Sequence, residues 1–429
     1  MEMKFRKQLS ASYLIRCTRQ FFQKTCDLQS EKAKISTVDC VMACFAVFSL
    51  KWASLLHYEK NLKSATTLHN FKSLYGITSP PSDTHMRRVL DLIDPSTIQP
   101  IFKKIFSIAQ RGKDLEAYQT INGHYLISID GTGMFSSHKI HCKNCCQKNH
   151  RNGTTTYQHN HLMAVMVGPG LSPVIPLDME PIVKQDGEKK NDCELNANQR
   201  LLPRIRRQHP HLKIMVVEDG LYGKGPHLQQ LRELGMSYII GVKSEDHQFL
   251  FDWVRHGEKE HYEHKDTTGT THIYNYINQV PLNDKHSEMK VNFLDYWEIK
   301  KGKKKHFTWI TNIQISRSNC EEIMRGGRAR WRIENETFNT LKNQGYNFQH
   351  NYGHGHENLC TVMSLLMLLA FTIDQVQLLG CKVYQEAKKS AGTWKGLWEE
   401  TRALFIYTMI ESWDIFLMTI ATRQLVNTS

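Results

Sequence analysis

The stretch Tyr125-Leu126-Ile127-Ser128-Ile129-Asp130-Gly131 predicts a short buried strand that ends on a carboxylate. The glycine after Asp130 would let the backbone turn sharply and leave the acid exposed. The pattern recurs at residues 212–220, where an apolar strand runs into Asp219 and a second glycine. One Asp-Gly pair at a strand end is ordinary turn chemistry, but two of them in one chain are harder to explain that way. Asp130 and Asp219 are therefore the first candidates for a shared site.

The segments around these two strands predict an α/β fold. Further strands are expected at residues 161–167, 174–177 and 238–242, with helices at 196–209 and 226–234. The chain before this region is helical in pattern, the part after it alternates apolar and polar residues, and helices return near residue 323. The predicted units are a helical part at 1–115, a first α/β part at 116–244, a β-rich insertion at 245–318, a second α/β part at 319–380, and C-terminal helices at 381–429.

The charge balance favours a polyanionic partner. The 429 residues include 55 Lys+Arg against 42 Asp+Glu, a formal net charge of +13. Such a surplus fits nucleic acid or an anionic membrane surface. The apolar runs at 40–50 and 359–371 fall short of the roughly 18–20 residues of a membrane span, so buried core helices are expected. Eleven cysteines without a secretory leader indicate reduced thiols or a metal site in a cytoplasmic protein.

A third acid is expected on the helix predicted near residues 323–343. Cutting or rejoining DNA needs stabilised charge on the attacking and leaving oxygens, which two Mg²⁺ ions about 3.5–4 Å apart on carboxylates can supply. Two glutamates compete for the third position. Glu334 shares a helical face with Trp331 and Phe338, whereas Glu336 points toward the solvated side near Arg332. We therefore expect Glu334 to join the aspartates, with Glu336 in reserve.

The three segments together resemble the DDE transposases of bacterial insertion sequences, and insertion-sequence family four in particular. The resemblance rests on residues 128–132, residues 217–220 and Arg330-Trp331-Arg332-Ile333-Glu334, and it covers roughly residues 120–370. It implies a ribonuclease-H-like catalytic core with a β insertion between the second Asp and the Glu. It also implies that Asp130, Asp219 and Glu334 hold two Mg²⁺ (or Mn²⁺) ions.

The same resemblance implies partners and a cellular setting. The partners would be double-stranded DNA, both transposon ends and target, and a second copy of the chain in a homodimeric synaptic complex. The setting would be the bacterial nucleoid. Arg330 matches the DNA-contacting signature of the family, but Gly327 stands where the family has Tyr. Leu341 stands where the family has Lys, and Lys342 follows one residue late.

A cluster of cysteine and histidine follows the first aspartate. Cys142 and Cys145 have zinc-knuckle spacing, and His150 could supply a further ligand to a structural Zn²⁺ ion. Reduced thiols in a polar, His-rich loop are the alternative. A zinc ion here would brace a loop and take no part in the reaction.

Two other segments leave alternatives open. The predicted helix with Arg200, Arg204 and Arg207 could bind DNA phosphates. The charged run before it, residues 186–194, could assist metal or DNA, but a solvated run is the alternative. Residues 346–356 are rich in aromatics and histidine, which suits either stacking on unpaired bases or a folded loop with buried rings.

Three functions remain for such a chain. The first is a transposase that hydrolyses transposon ends and joins the freed 3′ hydroxyl to target DNA by transesterification. The second is a nuclease or resolvase of the same fold without strand transfer, and the third is an inactive DNA-binding or zinc protein. Intact acids at all three positions count against the third. Joining of a pre-cut end to a target plasmid distinguishes the first two.

Overall fold

The computed structural model describes residues 7–26, 34–184 and 191–425. Within those residues one mixed sheet contains eleven strands. They are β1 Gln119–Thr120, β2 His124–Ser137, β3 Cys146–Asn149, β4 Thr155–Val167, β5 Ile175–Ile182, β6 Ile214–Glu218, β7 Ser237–Gly241, β8 Glu260–Lys265, β9 Thr271–Pro281, β10 Lys290–Lys300 and β11 Lys303–Thr311.

Helices flank this sheet in sequence on both sides. The α-helices of the described residues are α1 Ala11–Thr25, α2 Thr37–Ser49, α3 Leu55–Asn61, α4 Ala65–Tyr75, α5 Asp83–Asp91, α6 Pro100–Arg111, α7 Glu194–Gln208, α8 Gly225–Glu233, α9 Gln248–His256, α10 Cys320–Ala329, α11 Asn339–Asn343, α12 Leu359–Gly380, α13 Lys382–Ala391, α14 Trp394–Tyr407 and α15 Trp413–Thr422. Each of α1 to α5 begins after a serine whose hydroxyl accepts a backbone N–H of the first turn. The predicted α/β class with helical N- and C-terminal parts is confirmed.

The centre of the sheet has the order β5-β4-β2-β6-β7. The first three strands are antiparallel, and β6 and β7 continue the sheet in parallel with β2. Helix α7 crosses from β5 to β6, and α8 crosses from β6 to β7. This arrangement is the one expected of a ribonuclease-H-like core, and it sets the end of β6 beside the middle of β2.

The β-rich insertion extends the same sheet. Strand β11 pairs antiparallel with β7, and β10, β9 and β8 follow outward. Rings at successive strands stack across this part: Tyr262 on Tyr274 at 5.8 Å, Tyr274 on Tyr296 at 5.0 Å, and Tyr296 near Trp309 at 6.4 Å. We call these four rings the aromatic ladder. Cross-strand aromatic pairs of this kind fix strand register. The sequence pattern did not predict α9 or β8.

Helix α12 forms the centre of the helical layer. Its 22 residues have a mean hydropathy of 1.9, long and apolar enough to cross a membrane by length and composition, so the predicted short run was too short. The apolar window is 100% buried within the protein, as the sequence analysis expected of a core helix. α12 packs against α2, α5 and α6. Lys51, after α2, forms a buried ion pair with Asp374 of α12, and the two helical parts therefore share one core.

Candidate active site

Asp130 and Asp219 stand at the same level of two neighbouring parallel strands. Ser128 of β2 is paired in register with Val217 of β6. Each aspartate follows two residues later, so both side chains leave the same face of the sheet. Neighbouring strands lie about 5 Å apart, so backbone register alone places the two aspartates at the same level on neighbouring strands.

The backbone at Asp130 differs from the sequence expectation. β2 continues to Ser137, so Asp130 lies inside a strand and not at a sharp turn. Gly131 lies against another acid. A Cβ at this position would collide with the carboxylate of Glu194, at the first turn of α7. The glycine therefore makes room for a fourth acid beside the first aspartate.

Arg330 connects the third acid to the first. Its guanidinium donates to Asp130 Oδ2 at 3.0 Å and lies 2.8 Å from Glu334 Oε1. The hydroxyl of Ser128, on the same strand face as Asp130, donates to the carbonyl of Arg330 at 3.1 Å. Glu334 itself belongs to a π-helical turn, Ile333–Phe338, between α10 and α11. π-turns inside helices frequently mark functional sites.

The structure separates the two competing glutamates. Glu334 faces Asp130 through Arg330, whereas Glu336 lies 3.6 Å from Arg332; the two glutamates are exposed to nearly the same extent. The predicted helical face shared by Glu334, Trp331 and Phe338 was wrong in one respect. Trp331 is 52% exposed, not buried with Phe338, because the π-turn changes the helical spacing at this point.

The acids repel one another. Burial raises the pKa of Asp130 to about 6; Arg330 opposes that rise, and the carboxylates of Glu334 and Glu194 add to it. Burial also raises the pKa of Glu194, and the nearby Asp219 carboxylate raises it further. A cluster of like charges that shift each other's pKa is typical of a site that binds cations. Glu194 belongs to the charged run at residues 186–194, for which the sequence left a role at metal or DNA and a solvated run as alternatives.

A cleft of 600 Å³ opens beside Asp219. Its lining includes basic side chains, Lys243, Arg328 and Arg330, and the aromatic rings of Trp309 and Trp331. A cleft with acids at one end and cations and rings along its wall has the composition of a nucleic-acid channel.

The departures from the family signature have a packing explanation. A side chain at Gly327 would collide with the indole of Trp309, so the position that holds Tyr in the family is filled from β11. Leu341 is fully buried, and Lys342 is half-buried with its pKa lowered by burial. Lys342 is thus the residue that supplies a lysine side chain next to the position where the family has Lys.

Two of the predicted phosphate-binding arginines are occupied within the fold. Arg204 donates to Asp178 Oδ2 at 2.6 Å and to Glu180 Oε2 at 2.7 Å. Arg200 pairs with Glu180 at 2.6 Å and with Asp192 at 2.7 Å. These guanidiniums hold α7 against β5, because the carboxylates they neutralise are buried, and we correct their assignment to DNA accordingly. Arg207 is exposed, and no carboxylate of the described residues pairs with it.

The Cys/His cluster assembles with different histidines from the one predicted. Cys142 and Cys145 lie with His159 and His354, and the four ligand atoms are within 4.8 Å of one another. His150 instead bonds through Nε2 to the hydroxyl of Thr156 at 2.7 Å, since the turn between β3 and β4 faces away from the cysteines. The prediction of His150 as a ligand was therefore wrong.

The segment at residues 346–356 is a folded loop with buried rings. Tyr346, Phe348 and Tyr352 are at most 4% exposed. The alternative, rings free to stack on bases, does not hold for these three. Within the charged run, residues 185–190 lie outside the described residues, and Asp192 is held by Arg200.

Comparison with known proteins adds a family. The family described as transposase DDE domain matches residues 122–371, more than half of the chain. No curated protein matches the chain. Among solved structures, the cryo-EM structure of the piggyBac transposase synaptic complex with hairpin DNA is similar at 11% identity and a TM-score of 0.40, over 97% of this chain and 80% of that one.

Proposed function

The chain belongs to the transposase DDE domain family and is a DNA transposase; we propose that Asp130, Asp219 and Glu334 are its three catalytic acids. The observation that carries this assignment is the single constellation they form. Asp219 is set beside Asp130 by strand register, and Glu334 is joined to Asp130 through Arg330. Three separate segments of the chain thus deliver carboxylates to one sheet edge.

The donor set fits divalent cations. Enzymes of this family use divalent metal ions, and the carboxylate oxygens of this site are the hard ligands that Mg²⁺ or Mn²⁺ prefers. The raised pKa of Asp130 supports the fit, because crowded carboxylates are stabilised by added positive charge. When bound, two such ions would supply an activated water and stabilise the leaving oxygen.

The residues then act on two successive phosphoryl transfers. In the first, a water oxygen forms a bond to phosphorus at the transposon end and the bond to the 3′ oxygen breaks. In the second, that 3′ hydroxyl attacks a target phosphodiester and displaces a target 3′ oxygen. The three acids would hold the reacting groups in line. Arg330 lies 3.0 Å from Asp130 and 2.8 Å from Glu334 and neutralises part of the charge of these two acids.

We propose the following contacts with double-stranded DNA. Arg330 and Lys342 would contact the strand beside the acids, and Arg207 would contact phosphate farther along α7. The exposed ring of Trp331 would stack on a base at the cleft. The helical part at 1–115 would bind the transposon end, and two copies of the chain would hold two ends in a synaptic complex. We also place the protein in the bacterial cytoplasm at the nucleoid.

The test is a strand-transfer assay with Mg²⁺, a labelled duplex of the flanking element's end and a supercoiled target plasmid. Wild type is compared with Glu334→Gln and with the matched variant Glu336→Gln. Joined product from wild type and Glu336→Gln, but not from Glu334→Gln, is the expected result. Joining by Glu334→Gln would overturn the choice of glutamate. Cleavage without joining in wild type would favour a nuclease of the same fold.

A further inference from the structure

A cluster of two cysteines and two histidines lies outside the acidic site. We propose that Cys142, Cys145, His159 and His354 bind one zinc ion in a tetrahedral site. The cysteines lie in the loop between β2 and β3, His159 lies on β4, and His354 lies in the loop before α12. This ligand set does not depend on the proposed catalytic acids.

The distances come close to those between ligands of one tetrahedral ion. The two sulfurs are 3.9 Å apart, and each sulfur lies 3.2 Å from an imidazole Nε2, Cys142 from His159 and Cys145 from His354. With Zn–S of about 2.3 Å and Zn–N of about 2.0–2.1 Å, tetrahedral geometry places ligand atoms roughly 3.3–3.8 Å apart. Two thiols and two imidazoles that converge in this way form the Cys₂His₂ set of structural zinc sites.

The surroundings of the cluster suit a structural ion. Cys145, His159 and His354 are buried and Cys142 is half-buried, so four ligands would close the site. The rings of His159 and His354 meet edge to face at 74°, with centroids 4.9 Å apart. Sulfur and imidazole favour zinc over Mg²⁺, which keeps the two metal centres chemically distinct.

The site would join two parts of the catalytic chain. The cysteine loop follows the strand of Asp130, and His354 follows the turn of Glu334. Neighbouring contacts run between the same two segments: Lys143 pairs with Glu357, and the Asn144 amide donates to the carbonyl of Glu357 at 2.7 Å. A zinc ion bound there would hold the loop before α12 against β4 and the loop between β2 and β3.

The experiment measures zinc in the purified full chain by elemental analysis, together with its thermal stability before and after a chelator. Variants are Cys145→Ser and His354→Gln, with His150→Gln as the matched control. The expected result is one zinc per chain in wild type and His150→Gln, and loss of most of it in the two ligand variants. Glu334→Gln should retain its zinc, which separates this proposal from that of the catalytic acids.

Folding failure of a variant is covered by a measurement on wild type. Co²⁺ added to the zinc-free protein should give the absorption of a tetrahedral thiolate site, and zinc should protect two cysteines from alkylation. Zinc-free wild type that cannot be loaded would overturn the proposal. So would a disulfide between Cys142 and Cys145, or zinc lost from His150→Gln and kept by His354→Gln.

Discussion

The carboxylate of Glu194 occupies the space that a side chain on residue 131 would need. The glycine after the first aspartate is therefore matched to a glutamate more than sixty residues later in the chain. Glu194 also interacts with both aspartates. Its charge raises the pKa of Asp130, and the charge of Asp219 raises the pKa of Glu194. We infer that Glu194 acts with the three acids in holding cations.

Removing the charge of Glu194 should weaken metal binding. Glu194→Gln keeps the shape of the side chain, so the fold should persist, while one of four carboxylates is lost to the cations. We expect a roughly 10–100-fold loss in metal affinity or cleavage rate, as for residues that support a metal site. Mn²⁺ titration and cleavage of the transposon end measure the two effects. Glu233→Gln, on the exposed side of α8, is the control, and equal behaviour of the two variants would contradict the inference.

Restoring the family tyrosine at residue 327 should be harmful. Trp309 occupies the space, so Gly327→Tyr would overpack the contact between α10 and β11 and lower the free energy of unfolding by about 1–3 kcal/mol or more. Urea unfolding followed by circular dichroism measures the loss. Trp309→Ala combined with Gly327→Tyr should recover part of it, and additive losses in the double variant would show that the two residues do not compete.

The arginines of α7 should divide into two classes. Arg204→Ala leaves the buried Asp178 without its cation, while Glu180 keeps Arg200, so we expect a loss of about 3 kcal/mol in stability. Arg207→Ala should leave stability unchanged and weaken DNA binding, with the slope of log K against log salt concentration smaller by about one. Thermal unfolding and binding at several salt concentrations give both readouts. Weakened DNA binding by folded Arg204→Ala alone would reverse our assignment.

His209 should make the protein less stable in mild acid. Burial, together with the charges of Lys103 and Arg206, lowers its pKa to about 4. The unfolded chain takes up a proton below about pH 6.5 that the fold excludes, so stability falls as pH drops from about 6.5 to about 4. From about pH 7 to pH 5 this costs about 2 kcal/mol.

The check is the pH dependence of urea unfolding in His209→Gln. That variant should lose less stability between the two pH values than wild type, whatever its stability at neutral pH. His211→Gln changes an exposed imidazole two residues away and serves as the comparison. A steeper acid loss in His209→Gln than in wild type would refute the assignment.

Local patterns predicted the elements that are regular and self-contained. Apolar runs located β2, β6 and β7. The exposed edge strand β8 was missed because its alternating charged and aromatic residues carry no apolar run. The extension of β2 past Asp130 was missed because glycines inside a strand resemble a turn until the close approach of Glu194 is known.

The site was predicted in part, and its catalytic roles stay predictions. Asp130, Asp219 and Glu334 could be chosen from strand ends and helical spacing, which are local. Glu194, His159 and His354 could not, because they meet their neighbours only through long-range packing. The partners of Arg200 and Arg204 were also invisible, since the acids of β5 lie about twenty residues away or more and belong to no motif.

The aromatic ladder has a mechanical consequence for helix α10. Its rings run from the edge strand β8 to Trp309, which in turn packs on Gly327, three residues before Arg330. Four strands at about 4.8 Å spacing make this a stiff plate about 20 Å wide. Because this plate ends on Gly327, a shift of β11 would move α10 and with it Arg330, which lies beside Asp130 and Glu334.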